Sequence, residues 1–168
     1  MSNIVLIGMP GAGKSTIGVI LAKLLGYKFI DSDLLIQEQE KALLKDIIKE
    51  KGLEGFLEIE NQVNSSIHVD RAVIATGGSI VYSKEAMEHL GRTGTIVYIQ
   101  LSLDVLNHRL GNMKQRGVVL KKGQDLKGLY KERCPLYEEY ADLIINGDGK
   151  SVEQLLYNIQ FCSEIIDM

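Results

Sequence analysis

Tryptophan is absent from this 168-residue sequence, and proline, cysteine, histidine and long apolar runs are scarce. Its three histidines, His68, His89 and His108, show no metal-ligand spacing, which leaves them surface or structural roles. Its two cysteines, Cys134 and Cys162, lie far apart and match no zinc or redox pattern. Both are expected as reduced thiols, with Cys162 continuing the apolar stripe of the last helix. No apolar stretch approaches the roughly 18 residues that span a bilayer, which argues against a membrane partner. The N-terminus lacks a basic region and runs directly into Pro10, Gly13 and Lys14, so it does not read as a signal peptide. A formal net charge of -3 without a long basic block argues against a nucleic-acid surface. A cytoplasmic enzyme built as one domain over residues 1–168 fits all of this.

Short β-rich runs alternate with helical patterns. Strands are expected near Asn3–Ile7, Lys28–Asp31, Ala72–Ala75, Thr95–Gln100 and Leu143–Ile145. Their unbroken apolar character fits a sheet covered on both faces. Ile17, Ile20, Leu21, Leu24 and Leu25 recur at helical spacing, as do Val152, Leu155, Leu156, Ile159 and Cys162. Ser151 and Gln154 form a capping box before the second stripe. The alternation predicts an α/β fold with a five-stranded parallel sheet in three layers. Two insertions interrupt it. Residues 33–69 hold two or three helices, and residues 111–123 read as a mobile, basic, Gly-punctuated loop.

Gly8 to Thr16 reads G-M-P-G-A-G-K-S-T, a match to the phosphate-binding loop G-x-x-x-x-G-K-[ST]. It follows the first strand and opens an amphipathic helix. Its glycines let backbone N–H groups turn inward, and the helix N-terminus favours an anion at the same place. Gly11, Ala12, Gly13, Lys14, Ser15 and Thr16 are thus the candidate nucleotide-binding residues. Lys14 would reach the β- and γ-phosphates, and the Ser15 hydroxyl would ligate Mg²⁺. The N-K-x-D element of a GTPase and the L-S-G-G-Q-like element of a transport ATPase are both missing, and the chain is short for a motor. A small phosphotransferase remains.

The second strand ends in Asp31-Ser32-Asp33, where a parallel strand meets the ligand crevice. One carboxylate could hold Mg²⁺ through water and the other could accept a hydrogen bond from an acceptor hydroxyl. The alternative is plain helix capping.

These segments resemble the shikimate kinase family over nearly the whole chain. The matching stretches are GMPGAGKST at 8–16, FIDSD at 29–33, the Gly55-Phe56 and Ile59-Glu60 pairs, ATGG at 75–78, and ERCPLYEEYAD at 132–142. The resemblance implies a nucleoside monophosphate kinase-like fold with a lid at 111–123 and a helical acceptor-binding insertion at 33–69. It implies ATP as phosphoryl donor, Mg²⁺ held by Ser15 and Asp31, and Lys14, Asp33 and Arg116 as the catalytic residues. Asp33 would orient the acceptor hydroxyl and could act as base. Gly77, Gly78 and Ser79 would line the acceptor pocket, Arg109 would lie against adenine, and Arg133 would grip the acceptor carboxylate. On its own helix, Arg133 falls at i+7 from Leu126 and i+3 from Tyr130, on the apolar side, so it needs an anionic partner. That partner could be a ligand or an internal glutamate. Pro135 predicts a helix break nearby that frees the Arg133 side chain. Arg116 could equally be a solvated loop arginine.

Two acceptor-side positions depart from the family pattern. Leu57 stands where the family has an arginine that shares the acceptor carboxylate, and Ser79 stands where it has a third glycine. Glu60, three residues after Leu57, could have braced that arginine. The lid also has Gly117 where the family has proline, which raises the ordering entropy of closure. The function expected is ATP-dependent transfer to a hydroxyl of shikimate. The alternatives are a kinase of the same fold for a less anionic metabolite and a non-catalytic nucleotide-binding relative.

Overall fold

The computed structural model describes residues 2–110 and 123–166. Five parallel strands run β1 (Asn3–Ile7), β2 (Lys28–Asp31), β3 (Ala72–Ala75), β4 (Gly94–Gln100) and β5 (Leu143–Asn146). Their spatial order is β2-β3-β1-β4-β5. The central strand β1 pairs Val5 with Ile74 on one side and with Ile96 on the other. Every residue of β1 and β3 is buried, which is why these segments are apolar without alternation.

Helices cover both faces. The described ones are α1 (Lys14–Leu25), α2 (Ser32–Glu40), α3 (Leu44–Ser65), α4 (Lys84–Thr93), α5 (Leu103–Arg109), α6 (Leu126–Tyr140) and α7 (Val152–Ile166). Ile17 and Leu21 of α1 and Leu155, Leu156 and Ile159 of α7 enter the core, while Leu24 and Val152 stay exposed at the margins of the stripes. The capping box at α7 is made in both directions. The Ser151 amide donates to Gln154 Oε1 at 2.8 Å, and the Gln154 amide donates to Ser151 Oγ at 3.2 Å.

The insertion after β2 is α2 and α3, with α3 interrupted at Gly52 (φ 74°). The two helices share a small core of their own around Ile36, Ile47, Phe56 and Val63. The expected lid, including Arg116, lies outside the described residues apart from Gly123.

Helix α6 corrects one expectation: it runs unbroken through Pro135. Proline removes one helical hydrogen bond and costs about 3 kcal/mol in a helix interior. Anchors on both sides of it, Leu129, Arg133 and Tyr137, are buried on the same face and hold the helix in register. Arg133 is therefore not freed by a break. It is packed, with 1% of its surface exposed. No described helix is long and apolar enough to cross a membrane.

Candidate active site

The loop between β1 and α1 turns through three glycines at positive φ: Gly8 (149°), Gly11 (82°) and Gly13 (90°). A Cβ on Gly8 would sit 2.8 Å from the Ile99 carbonyl oxygen, so the motif glycine is also a packing requirement. Lys14 Nζ donates to the Gly8 carbonyl at 2.6 Å and the Met9 carbonyl at 3.0 Å, spanning the loop it belongs to. Burial lowers the Lys14 ammonium to about 8, with Asp33 pulling the other way. Arg109, at the end of α5, donates to the Gly11 and Ala12 carbonyls at 3.4 and 3.5 Å. It thus flanks the loop from the side opposite Asp31.

Asp31 caps a helix and also faces the phosphate-binding loop. Its Oδ1 caps α2, accepting from the Asp33 amide at 3.0 Å and the Leu34 amide at 3.3 Å. Its Oδ2 accepts from Ser15 Oγ at 2.8 Å. A hydroxyl and a carboxylate oxygen meeting at the helix N-terminus form the hard-oxygen donor set that Mg²⁺ takes, with phosphates and water completing its shell. The residues present therefore fit the ion. Among the described residues no group of three or more His, Cys, Asp or Glu could hold another metal.

Asp33, the second residue of α2, faces a cavity of about 410 Å³ that it shares with Lys14, Ser15, Gly77, Gly78, Ser79 and Arg133. Gly11, Gly13 and Thr16 line the same cavity, whereas Ala12 is buried behind it. Burial raises the Asp33 carboxyl to about 6, Asp31 adds to the rise, and Lys14 opposes it. Asp33 Oδ1 is buried with no hydrogen-bond partner. An unpartnered buried acceptor is costly, so this atom is open to a hydrogen-bond donor.

A further stretch of the lining comes from the segment after β3. Thr76 Oγ1 donates to the Leu6 carbonyl at 2.8 Å and fixes the exit of the strand. Gly77 and Gly78 follow. A Cβ on Gly77 would lie 2.6 Å from Asp33 Oδ1, and one on Gly78 would lie 2.9 Å from Arg133 Nη1 and 2.8 Å from Pro10 Cδ. The Tyr137 hydroxyl donates to the Gly78 carbonyl at 2.6 Å. The Arg133 guanidinium lies 5.4 Å from the centre of the Tyr82 ring. Gly77→Ala is expected to push Asp33 aside and lower kcat/KM for the acceptor at least about tenfold, with KM for ATP little changed. Steady-state kinetics on both substrates checks this.

The fold places Leu57 differently from the sequence reading, and Ser79 lines the cavity with its hydroxyl engaged. Leu57, expected at the acceptor pocket, is half-buried against the small core of α2 and α3 and does not line the cavity. Its neighbour Phe56 does. Ser79 neither faces away nor offers a free hydroxyl, because its Oγ donates to Glu60 Oε1 at 2.7 Å. Thr76, Leu44 and Pro10 also line the cavity; Pro10 and Thr76 fall within sequence motifs, and Leu44 does not.

A sequence profile described as shikimate kinase matches residues 10–163. The chain belongs to the shikimate kinase family. It is 36% identical over 160 residues to a shikimate kinase of Sulfurihydrogenibium sp. (strain YO3AOP1), covering 95% of this chain and 96% of that one. Its fold superposes with a TM-score of 0.86 on shikimate kinase from Acinetobacter baumannii in complex with shikimate, at 33% identity and with 95% and 91% of the two chains covered. Thymidylate kinase from Candida albicans shares the fold alone, at a TM-score of 0.65 and 13% identity over 99% and 92% of the chains. That places the architecture among nucleoside monophosphate kinase-like P-loop folds. As a shikimate kinase family member the chain is an ATP-dependent phosphotransferase that acts on a hydroxyl of a small molecule.

Proposed function

We propose that this kinase transfers the γ-phosphate of ATP to the 3-hydroxyl of shikimate. The observation that carries the reading is one cavity lined by Lys14 and Ser15 together with Asp33, Gly77, Gly78 and Arg133. Lys14 would neutralise the β- and γ-phosphates, and Ser15 with Asp31 would hold Mg²⁺. Bound there, the ion would offset charge on the phosphate oxygens. Asp33 would accept the hydroxyl proton and aim its oxygen at the γ-phosphorus. Arg133 would bind the acceptor carboxylate, and Arg109 would lie against adenine. Arg116 would stabilise the transferring phosphoryl group from the lid. We also assign the protein to the cytoplasm, as a monomer that does not depend on nucleic acid or membrane.

Leu57 favours a second reading. It brings no charge to the acceptor side, so a less anionic acceptor would fit a pocket with one arginine. A coupled assay of ADP release, run across shikimate and other small hydroxylated acceptors, separates the two. Hydrogen bonds to a charged group contribute roughly 1.5–3 kcal/mol each, so Arg133→Ala should lower kcat/KM for shikimate by about 10²-fold. Wild-type preference for an uncharged acceptor, untouched by Arg133→Ala, would replace shikimate with that acceptor.

A further inference from the structure

Glu60 sits on α3 beneath the cavity floor, with none of its surface exposed. Its Oε1 accepts from Ser79 Oγ at 2.7 Å. Its Oε2 is buried with no hydrogen-bond partner, as is Asp33 Oδ1. Both orphan oxygens converge on one point. The position that a Cβ would take on Gly77 lies 3.0 Å from Glu60 Oε2 and 2.6 Å from Asp33 Oδ1. Two ionised carboxylates this close repel, and a proton on one of them relieves the repulsion. Residue 57, one turn before Glu60, is a leucine and brings no cation.

We propose that Glu60, held in place by Ser79, is a positioning residue that acts as a neutral hydrogen-bond donor, its Oε2–H directed toward Asp33 beneath Gly77. Ser79 occupies Oε1, which leaves the proton on Oε2. In this form Glu60 steadies Asp33 without adding a negative charge beside Arg133, which favours an anionic acceptor. That last consequence rests on the shikimate reading, whereas the protonated pair does not.

The charged groups around Glu60 are Lys14 from α1, Asp33 from α2 and Arg133 from α6. Burial pushes Glu60 up to about 8. The Ser79 hydrogen bond opposes this, Asp33 adds to it, and Arg133 and Lys14 pull it down. The folded carboxyl keeps its proton to about pH 8, against an ordinary value of 4.5. Stability owed to this residue therefore falls as pH rises from 4.5 toward 8 and is level above that.

The test is Tm against pH, together with kinetics, for the wild type, Glu60→Gln, Glu60→Ala and Ser79→Ala. Glu60→Gln keeps a neutral donor. Its Tm should exceed the wild-type value by a margin that widens between pH 5 and 8, reaching on the order of 5 °C, and then stays constant. At pH 7 Glu60→Gln should retain shikimate turnover, whereas Glu60→Ala and Ser79→Ala should raise KM for shikimate about tenfold with KM for ATP unchanged. A Tm margin that does not change with pH, or Glu60→Gln as impaired as Glu60→Ala, overturns the proposal. If the wild type does not phosphorylate shikimate, the acceptor reading fails, and the Tm comparison still decides the state of Glu60.

Discussion

Lys14→Met is expected to lower kcat/KM for ATP by at least about 10³-fold while the protein stays folded. The lysine supplies charge where the transferring phosphoryl group needs it, in a buried site where electrostatic stabilisation is worth most. Methionine keeps the length of the side chain and removes the charge. The structural cost is limited to two hydrogen bonds, to the Gly8 and Met9 carbonyls. Part of that cost is offset, because burial lowers the folded Lys14 ammonium to about 8 from 10.5. A lowered lysine destabilises the fold at pH 7, since the folded protein must carry a charge it holds less readily than the unfolded chain. The variant should therefore melt within a few degrees of wild type, but lose the rise in Tm that Mg-ATP confers on the wild type. Unchanged stabilisation by Mg-ATP would show that Lys14 does not touch the phosphates.

The second large effect is at Asp33. Asp33→Asn keeps the shape of the side chain and removes its capacity to take a proton. General-base catalysis contributes roughly 10²–10⁴-fold, so kcat should fall by about 10³-fold with KM for ATP nearly unchanged. The pH profile gives an independent readout. The Asp33 carboxyl titrates at about 6, and only the ionised form accepts the hydroxyl proton. Wild-type kcat/KM should therefore decline as pH falls through 6, a limb that the asparagine variant lacks. The same raised value means that the folded protein holds this proton more tightly than the unfolded chain. Stability then falls as pH rises from 3.8 to about 6, and Asp33→Asn should be more stable than wild type at pH 7. A variant that lost activity and stability together would mark Asp33 as a structural residue.

The two halves of the site differ in how they are encoded. The donor half lies in one continuous stretch. Gly8 to Thr16 carries its own conformational requirements, three glycines at positive φ and a lysine opening a helix, and the apolar run of β1 before it orients the loop. Such local constraints leave a linear pattern, so the strand, the loop, the helix and the role of Ser15 were legible in order. The strands were legible too, because burial on both faces demands a run of apolar residues wherever a strand lies in the sheet interior.

The acceptor half is assembled from α2, α3, the turn after β3, and α6. Its members are many residues apart, and no periodicity links them. Asp33 was placed at the ligand crevice by its position after β2 and Arg133 on the apolar side of its helix by spacing, but the partners of neither follow from the sequence. Pro135 misled in the same way: the local rule predicts a break, and burial of the helix face on both sides outweighs it.

By itself the sequence determined a parallel α/β fold, a phosphate-binding loop pattern and membership of the shikimate kinase family. Only the tertiary structure decided what Leu57 and Ser79 mean. Leu57 packs among the side chains of the helical insertion, and Ser79 is joined to Glu60 across 19 positions of chain. The physical reason is that a buried polar side chain is satisfied by whatever the fold brings within about 3 Å. That pairing is a property of packed elements, invisible until they meet.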